Sequence, residues 1–361
     1  MNITVNSQLL AAELRLLAKV VPSKPTVAIL SHALLRAEPA INGGVLHMYA
    51  TDLEVGITTQ CESVVNQPGE TALPVVRLLQ MVERFPDADV SIIATASQVT
   101  IACGSFTTRM KAMPVADFPE PPQVDGTTNT FDAAILRDLI EKTRHAVSAV
   151  GTKFVLKGAL LTSSQKIAVM VTTDGKRLSL ATMACAEAPA SEIVIPIKML
   201  DILVSHAPDG DLQITDGWRN LFFAAGTKLL TARKLEGAFP KYKSIVPNGN
   251  PHIVKFERHL LNDALQRVTL VAEENGAVYF DVKPGSLGLT SASAGIGSAD
   301  ETMDISYDGP PIKICLNGTF VLNFLDSCIG ATVTMELKDP TSAVLLADGE
   351  DHIGVIMAMR V

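Results

Sequence analysis

Ala50-Thr51-Asp52-Leu53-Glu54 returns 122 residues later as Thr172-Thr173-Asp174-Gly175-Lys176. Two further pairs of segments have nearly the same separation: Leu73-Pro74 with Ile195-Pro196, 122 residues apart, and Phe118-Pro119 with Phe239-Pro240, 121 residues apart. A fixed separation at three places is the sequence signature of a repeated folding unit. The sequence therefore predicts two copies of one unit in its first two thirds.

The last third of the chain has the same order of predicted elements. Each third opens with an amphipathic helix, in which apolar residues recur at helical spacing, and contains a second helix near its middle. The opening helices are predicted at Leu9–Val20, Ala134–Val147 and Leu260–Val268, and the second helices at 75–84, 197–206 and 318–329. Alternating runs such as Lys166–Val171 and Thr332–Leu337 predict strands around these helices.

These patterns predict an α+β fold of three similar domains, each with two helices and several antiparallel strands. Clusters of Gly, Pro, Asn and Asp at 120–129 and 247–251 predict the linkers. The expected domains are residues 1–124, 129–249 and 250–361.

Composition limits the classes of protein to which the chain can belong. It has 361 residues, 47% of them hydrophobic, and a formal net charge of −8. No run of about 18 uncharged apolar residues occurs, and charges interrupt the first 20 residues, so we expect neither a membrane-spanning helix nor a signal peptide. Five scattered cysteines without a CxxC pair favour a reducing compartment, and we expect a cytoplasmic protein with no membrane partner. The negative charge argues against a protein that coats nucleic acid with its whole surface.

The sequence contains none of the usual motifs of catalysis. GxxxxGK[ST], GxGxxG after a predicted strand, HExxH and GxSxG are all absent, so we expect no catalytic residues and no cofactor. The seven histidines are never within five positions of one another, and no metal site is predicted. Asp52 and Asp174 stand at equivalent places in two repeats, which favours a structural role in turns. An enzyme whose site is assembled from Asp52, Asp174 and His145 remains an alternative.

Two features allow both a structural and a functional interpretation. The basic pair Lys176-Arg177 has no counterpart in the first repeat, and it is either a solvated turn or the rim of a binding site. Residues 353–361 are apolar almost to the last residue, which predicts a final strand. Met357 and Met359 in this segment would also form an adaptable surface for varied partners.

Over its full length the sequence closely resembles the bacterial DNA polymerase III beta subunit family, the sliding clamps. The matching motifs are Thr51-Asp52-Leu53-Glu54, Ala116-Asp117-Phe118-Pro119, Thr173-Asp174-Gly175-Lys176-Arg177-Leu178, Phe239-Pro240-Lys241-Tyr242 and Met357-Ala358-Met359-Arg360-Val361. The resemblance implies the DNA-clamp fold, in which two three-domain chains join head to tail into a closed ring with the helices inside. It also implies a processivity factor that encircles duplex DNA and tethers proteins to it.

The partners implied by the resemblance are a second copy of the chain, double-stranded DNA, the replicative polymerase catalytic subunit, a clamp loader, and other polymerases and repair proteins. Each protein partner would carry a short clamp-binding peptide of the Gln-Leu-x-Leu-Phe kind. Six windows around the predicted helices, 7–20, 74–84, 132–145, 196–206, 257–267 and 318–330, hold ten basic and nine acidic residues, so they are less acidic than the rest of the chain. A weakly positive lining would attract phosphates without fixing the ring in place.

The resemblance also assigns residues to three sites. The peptide-binding groove would comprise Leu156, Thr173, Gly175, Lys176, Arg177, Leu178, Pro240, Ile245, Val355, Met357, Ala358, Met359 and Arg360. The candidates that face DNA are Arg15, Arg77, Lys198 and Arg267 on predicted helices, with Lys24 at a basic DNA-contacting position of the family. The dimer interface would join an edge strand at Thr108 and Met110 to a helix end at Leu270 and Val271.

The sequence departs from the family at the groove. Lys176 stands where His is common, Ala358 where Pro is common, Val361 where Leu is common, and Ser244 where Arg is frequent. These changes affect the expected peptide preference more than the existence of a groove. The alternative function is a repeat-built oligomeric scaffold or binding protein unrelated to DNA.

Overall fold

Six α-helices lie where the apolar periodicity predicts them, which confirms two helices in each third of the chain. The computed structural model describes residues 1–22, 24–41, 43–148, 154–206 and 210–360, without the side chains of 187–190. The helices are α1 Ser7–Leu17, α2 Val75–Val82, α3 Ala133–Thr143, α4 Ile197–His206, α5 Arg258–Thr269 and α6 Gly318–Ser327. None of the helices in these ranges is long and apolar enough to cross a membrane.

Side-chain caps begin three of the described helices, and four of the predicted ends were too late, those of α2 and α6 by only two residues. Asn6, Asp132 and Asn317 each accept a hydrogen bond from a backbone N–H in the first turn of the helix that follows. α1 ends at Leu17 rather than Val20, and α3 ends at Thr143 rather than Val147. Thr143 donates its hydroxyl to the carbonyl of Leu139, a local bond that competes with helix continuation.

Twenty-three strands accompany the helices in the described ranges, and each register that the structure defines between them is antiparallel. In the first half of the chain they are β1 Asn2–Asn6, β2 His32–Ala40, β3 Gly43–Thr51, β4 Val55–Glu62, β5 Val64–Gln67, β6 Gly69–Pro74, β7 Asp89–Ala94, β8 Gln98–Cys103, β9 Phe106–Lys111, β10 Thr127–Asp132 and β11 Gly158–Thr173. The remaining strands are β12 Arg177–Pro196, β13 Asp211–Asp216, β14 Asn220–Ala225, β15 Lys228–Arg233, β16 His252–Glu257, β17 Ala277–Lys283, β18 Ser286–Ser293, β19 Gly297–Asp304, β20 Ile312–Asn317, β21 Thr332–Leu337, β22 Val344–Asp348 and β23 His352–Ile356.

The chain divides into two compact units. Residues 1–130 with 205–234 form the first unit, and residues 131–204 with 235–361 form the second. The first holds a sheet of order β5-β1-β7-β8-β9 and a sheet of order β10-β13-β14-β15-β4-β3-β2-β6. The second holds a sheet of order β11-β12-β23-β22-β21-β16 and a sheet of order β19-β18-β17-β20.

Strands of neighbouring repeats pair with each other inside these sheets. In the first unit β15 pairs with β4, with Leu230 opposite Ile57. In the second unit β12 pairs with β23, with Leu178 opposite Val355. Such pairing satisfies strand edges that would otherwise stay open. The compact units therefore differ from the repeats, and the boundaries 1–124, 129–249 and 250–361 stay a prediction.

The repeated motif forms the same hairpin turn at both places. Asp52 Oδ1 accepts from the backbone N–H groups of Glu54 (3.0 Å) and Val55 (2.7 Å). Asp174 Oδ1 accepts in the same way from Lys176 (2.9 Å) and Arg177 (3.0 Å). The structural role that the duplication predicts for both carboxylates is confirmed.

Replacing Asp52 by alanine is expected to lower the free energy of unfolding by about 1–2 kcal/mol, because two backbone N–H groups lose their acceptor. Asp52→Asn keeps the accepting oxygen and is expected to lose less than half as much. Denaturant titration followed by circular dichroism compares the two variants. Equal stabilities for Asp52→Ala and Asp52→Asn would show that the carboxylate oxygen does not hold this turn.

Candidate functional site

The turn between β11 and β12 carries the basic pair Lys176-Arg177, which the first repeat lacks. The Thr173 hydroxyl donates to the Arg177 carbonyl (2.6 Å) and accepts from the Gly175 N–H (3.1 Å). Gly175 has φ +89°, which a residue without Cβ adopts without strain. The turn leaves Lys176 exposed and directs Arg177 inward.

Two contacts hold the Arg177 side chain in place. Its Nε lies 3.1 Å from Asp174 Oδ2, and its guanidinium carbon lies 4.2 Å from the centroid of the Phe320 ring. The side chain is only 12% exposed, and its Nη1 is buried without an acceptor among the described residues. Burial lowers the pKa of Arg177, and Asp174 opposes that effect. A freely solvated turn residue is therefore excluded, and the side chain forms part of a built surface.

The C-terminal segment lies beside this turn. β23 pairs with β12 so that Arg177 faces Ile356. The Met357 N–H then donates to the Lys176 carbonyl (3.0 Å), and the Met359 N–H donates to the Cys315 carbonyl (2.8 Å). The two segments that the resemblance assigns to opposite walls are thus brought together by backbone hydrogen bonds. Val361 lies outside the described residues.

An apolar cluster lies on the sheet next to the turn, and we call it the groove cluster. Its buried members are Leu160, Val171, Leu178, Leu345 and Val355, and Val169, Leu180, Val194, Phe239, Tyr242, Val246, Ala343 and Ile353 pack against it. Pro240 and Ile245 belong to the segment 239–246 that contributes three of these side chains. Ile245 is 42% exposed and Met357 is 46% exposed, so apolar surface remains open here.

Two of the predicted apolar groove residues have contacts outside the groove cluster. Ala358 packs against the core of the third repeat, which includes Phe256, Phe280 and Phe324. Leu156 is half-buried in a short 3₁₀ turn, where its carbonyl accepts from the Ser148 N–H. Met359 is half-buried and Arg360 is exposed.

Sequence reasoning missed several members of the groove cluster. Leu160 and Val171 come from the long strand β11, and Leu345 comes from β22. Alternation along these strands marks one face as apolar, but no local signal says which face meets the segment 239–246. Phe320 was missed for the same reason, since only the fold brings α6 under Arg177.

The predicted DNA-facing residues have different surroundings. Arg15 forms an ion pair with Glu83 (2.8 Å), and Arg267 forms one with Glu301 (2.5 Å). Exposed pairs of this kind are weak, but they reduce the free positive charge at both positions. Arg77 and Lys24 are exposed, and Lys198 is half-buried near the start of α4.

The predicted interface residues lie on an edge strand and at the end of a helix. Thr108 and Met110 belong to β9, which ends the five-stranded sheet. Leu270 follows α5 and is 78% exposed, and Val271 beside it is half-buried. Leu270 thus presents apolar surface that a second chain can reach.

The residues of the alternative enzyme site have other roles. Asp52 and Asp174 hold their own turns. Burial, and then Arg177 and His352, lower the pKa of His145 to about 3, which keeps its ring neutral. The ring packs edge-on against Phe324, with centroids 6.5 Å apart. These contacts favour a structural role for all three residues, in turns for the two aspartates and in packing for His145.

Three domain families match consecutive parts of the chain. They are the N-terminal domain of the DNA polymerase III beta subunit over residues 1–122, its central domain over 130–241 and its C-terminal domain over 243–360. A protein from Caulobacter vibrioides named "Beta sliding clamp" is 30% identical, and the alignment covers 100% of both chains.

Solved structures match the whole fold. The DNA polymerase III subunit beta from Pseudomonas aeruginosa has a TM-score of 0.93 at 26% identity, with 100% of both chains covered. A DnaN sliding clamp from the same organism, described as bound to griselimycin, has a TM-score of 0.91 at 26% identity and the same coverage.

Proposed function

The chain belongs to the DNA polymerase III beta subunit family and is a DNA sliding clamp with the three-domain clamp fold, and from this premise we propose that it keeps a polymerase on its template by linkage alone, without catalysing a reaction. The observation that carries the proposal is the match of all three family domains, in order, to one chain. The repeats 1–124, 129–249 and 250–361 would be those domains. We propose the cytoplasm as the place of action, because the DNA to be encircled is there.

We propose that two copies of the chain close the ring. The edge strand β9 exposes Arg109 and Lys111, whereas the edge strand β19 exposes Asp300 and Asp304. β9 of one copy can extend the β19 sheet of the other, with opposite charges across the new pair. Phe106 and Leu270 supply apolar surface close to these edges. A head-to-tail arrangement uses each edge once in each copy, and we propose that the rotation between copies closes it at two chains.

DNA would pass through the ring with the helices facing it. The net charge of −8 per chain restricts where DNA can lie, because an acidic outer face repels phosphates. Lys24, Arg77 and Lys198 on or near helices would provide weak attraction within the ring. Loose attraction without fixed contacts permits sliding.

The groove cluster would hold a short peptide from each protein partner. Met357 exposes apolar atoms beside the charged turn at Arg177, and Ile245 exposes more in the segment 239–246. This combination suits a peptide with leucine and phenylalanine anchors and one polar residue. A relative is described as bound to griselimycin, so this fold presents a ligand-binding surface. We propose that the polymerase catalytic subunit, other polymerases, repair proteins and the clamp loader all use this groove.

Retention on closed circular DNA tests the function. After loading by a separate ATP-driven loader, the protein is expected to remain on a closed circle through gel filtration and to leave within minutes once one cut makes the circle linear. A closed ring around the DNA predicts this difference, because the ring can leave the DNA only by sliding off an end. A protein that leaves both forms equally, and has the native mass of a single chain, would instead be a scaffold unrelated to DNA.

A further inference from the structure

Three side chains with metal-ligating atoms meet near the end of α6. Cys328 follows α6, Asp348 ends β22 and His352 begins β23. One ligand atom of each, the thiol sulfur, a carboxylate oxygen and a ring nitrogen, lies within 4.8 Å of the other two. Asp348 and His352 are direct partners across the β22–β23 hairpin. Thiolate, carboxylate and imidazole are the groups that bind zinc in proteins.

The His352 ring has its free lone pair on Nδ1. Nε2 lies 3.0 Å from the carbonyl oxygen of Lys142, which can only accept, so Nε2 carries the proton. Nδ1 is therefore unprotonated, and it has no hydrogen-bond partner among the described residues although His352 is only 1% exposed. A buried polar atom without a partner needs an explanation. A backbone carbonyl that fixes the other nitrogen is the usual support of a metal-binding histidine.

Backbone hydrogen bonds fix the carboxylate at the same place. Asp348 Oδ2 accepts from the Ile329 N–H (2.9 Å), and Oδ1 accepts from the Gly330 N–H (3.2 Å). A Cβ at position 330 would clash with Asp348 Oδ1, so glycine allows this close approach. Oδ2 also accepts from the Gly330 N–H (3.3 Å), which leaves Oδ1 as the oxygen with a further lone pair. Asp348 is half-buried, which leaves a path from solvent to the cluster.

We propose that Cys328, Asp348 and His352 bind one zinc ion, with water as the fourth ligand. Binding replaces the S–H bond of Cys328 by a Zn–S bond, and the proton is released to solvent. The thiol donates to the Phe324 carbonyl (3.1 Å), and metal binding replaces this hydrogen bond. Burial is the largest cause that raises the pKa of this thiol, and Asp348 raises it further, while Arg258 and Lys142 oppose the shift. A cation in the cluster compensates for the charge of the thiolate.

The proposed zinc site joins α6 to the β22–β23 hairpin and is separate from the groove cluster. None of its three residues belongs to that cluster or to the edge strands proposed for the dimer. Metal binding can therefore fail while the clamp function holds, and the reverse is equally possible.

Cobalt and zinc titrations of the full chain test the site. One equivalent of Co²⁺ added to chelator-treated protein is expected to produce the near-ultraviolet charge-transfer band of a cobalt–thiolate bond. Zinc should displace the cobalt, remove the band and raise the midpoint of thermal unfolding. No band at one equivalent would overturn the proposal.

Four variants separate this site from other metal binding. Cys328→Ser is expected to lose the band, whereas Cys315→Ser, at another buried cysteine, should keep it. Asp348→Asn and His352→Gln should each weaken zinc binding at least about 10-fold. His352→Gln retains a donor for the Lys142 carbonyl and so tests the imidazole even if Cys328→Ser fails to fold. Equal zinc affinity in His352→Gln and the parent protein would mean adventitious binding only and overturn the proposal.

Discussion

Replacing Met357 by aspartate is expected to weaken binding of a Gln-Leu-x-Leu-Phe peptide by about 100-fold, because the new carboxylate must lose its water when a leucine or phenylalanine anchor covers it. Met357 is 46% exposed, so the substitution places a charge at the surface and should leave the fold intact. Its backbone N–H still donates to the Lys176 carbonyl, which keeps the tail beside the turn. Fluorescence anisotropy with a labelled peptide measures the change.

Arg177→Ala tests the other side of the same groove. The substitution removes the ion pair with Asp174 and the contact with the Phe320 ring, and it is expected to weaken the peptide about 10-fold or more. Deleting residues 357–361 should abolish binding, since it removes a whole wall.

Ile253→Asp is the matched control for the Met357 substitution. Ile253 is 53% exposed on β16, which lies three strands from β23 in the same sheet. This variant carries the same added charge and is expected to bind the peptide as the parent does. Unchanged affinity in both Met357→Asp and Arg177→Ala would refute the groove assignment.

Leu270→Lys is expected to raise the dissociation constant of the dimer by about 100-fold. In the proposed dimer the substitution removes apolar contact and places a positive charge opposite the basic edge strand β9 of the other copy. A loss of about 1.4 kcal/mol at each of two identical interfaces gives this factor, because both must form when the ring closes. Sedimentation velocity over a concentration series measures it. Loss of retention on circular DNA should follow, because an open or single chain cannot encircle the duplex.

Arg109→Glu tests the charge part of the interface separately. It places like charge against Asp300 and Asp304 of the other copy, and its effect should decrease as the salt concentration rises. The effect of Leu270→Lys should depend less on salt, since part of it is lost apolar contact.

Ile329→Lys is the control for the dimer experiment. Ile329 is 79% exposed, nearly the same as Leu270, but it follows α6 rather than an edge proposed for pairing. It is expected to remain a dimer. Dissociation of Ile329→Lys to the same extent would show that any added positive charge opens the assembly, and the interface assignment would then be wrong.

The sequence by itself determined the repeat, the six helices and the family. Local patterns suffice for these features, because apolar spacing, caps and turn residues act within a few positions of one another. The equivalence of Asp52 and Asp174 followed from the same local chemistry, since each carboxylate binds backbone N–H groups two and three residues ahead. The three-domain α+β fold was predictable on this basis.

Only the tertiary structure decided which distant segments meet. Pairing of β12 with β23 places Arg177 beside Ile356, and α6 brings Phe320 under the same guanidinium. The cluster of Cys328, Asp348 and His352 likewise depends on a hairpin folding back onto a helix end. Residue spacing along the chain does not predict such contacts, because they arise from long-range packing and strand pairing. The sequence therefore determined the repeated unit, and the tertiary structure decided how the faces of neighbouring repeats combine into sites.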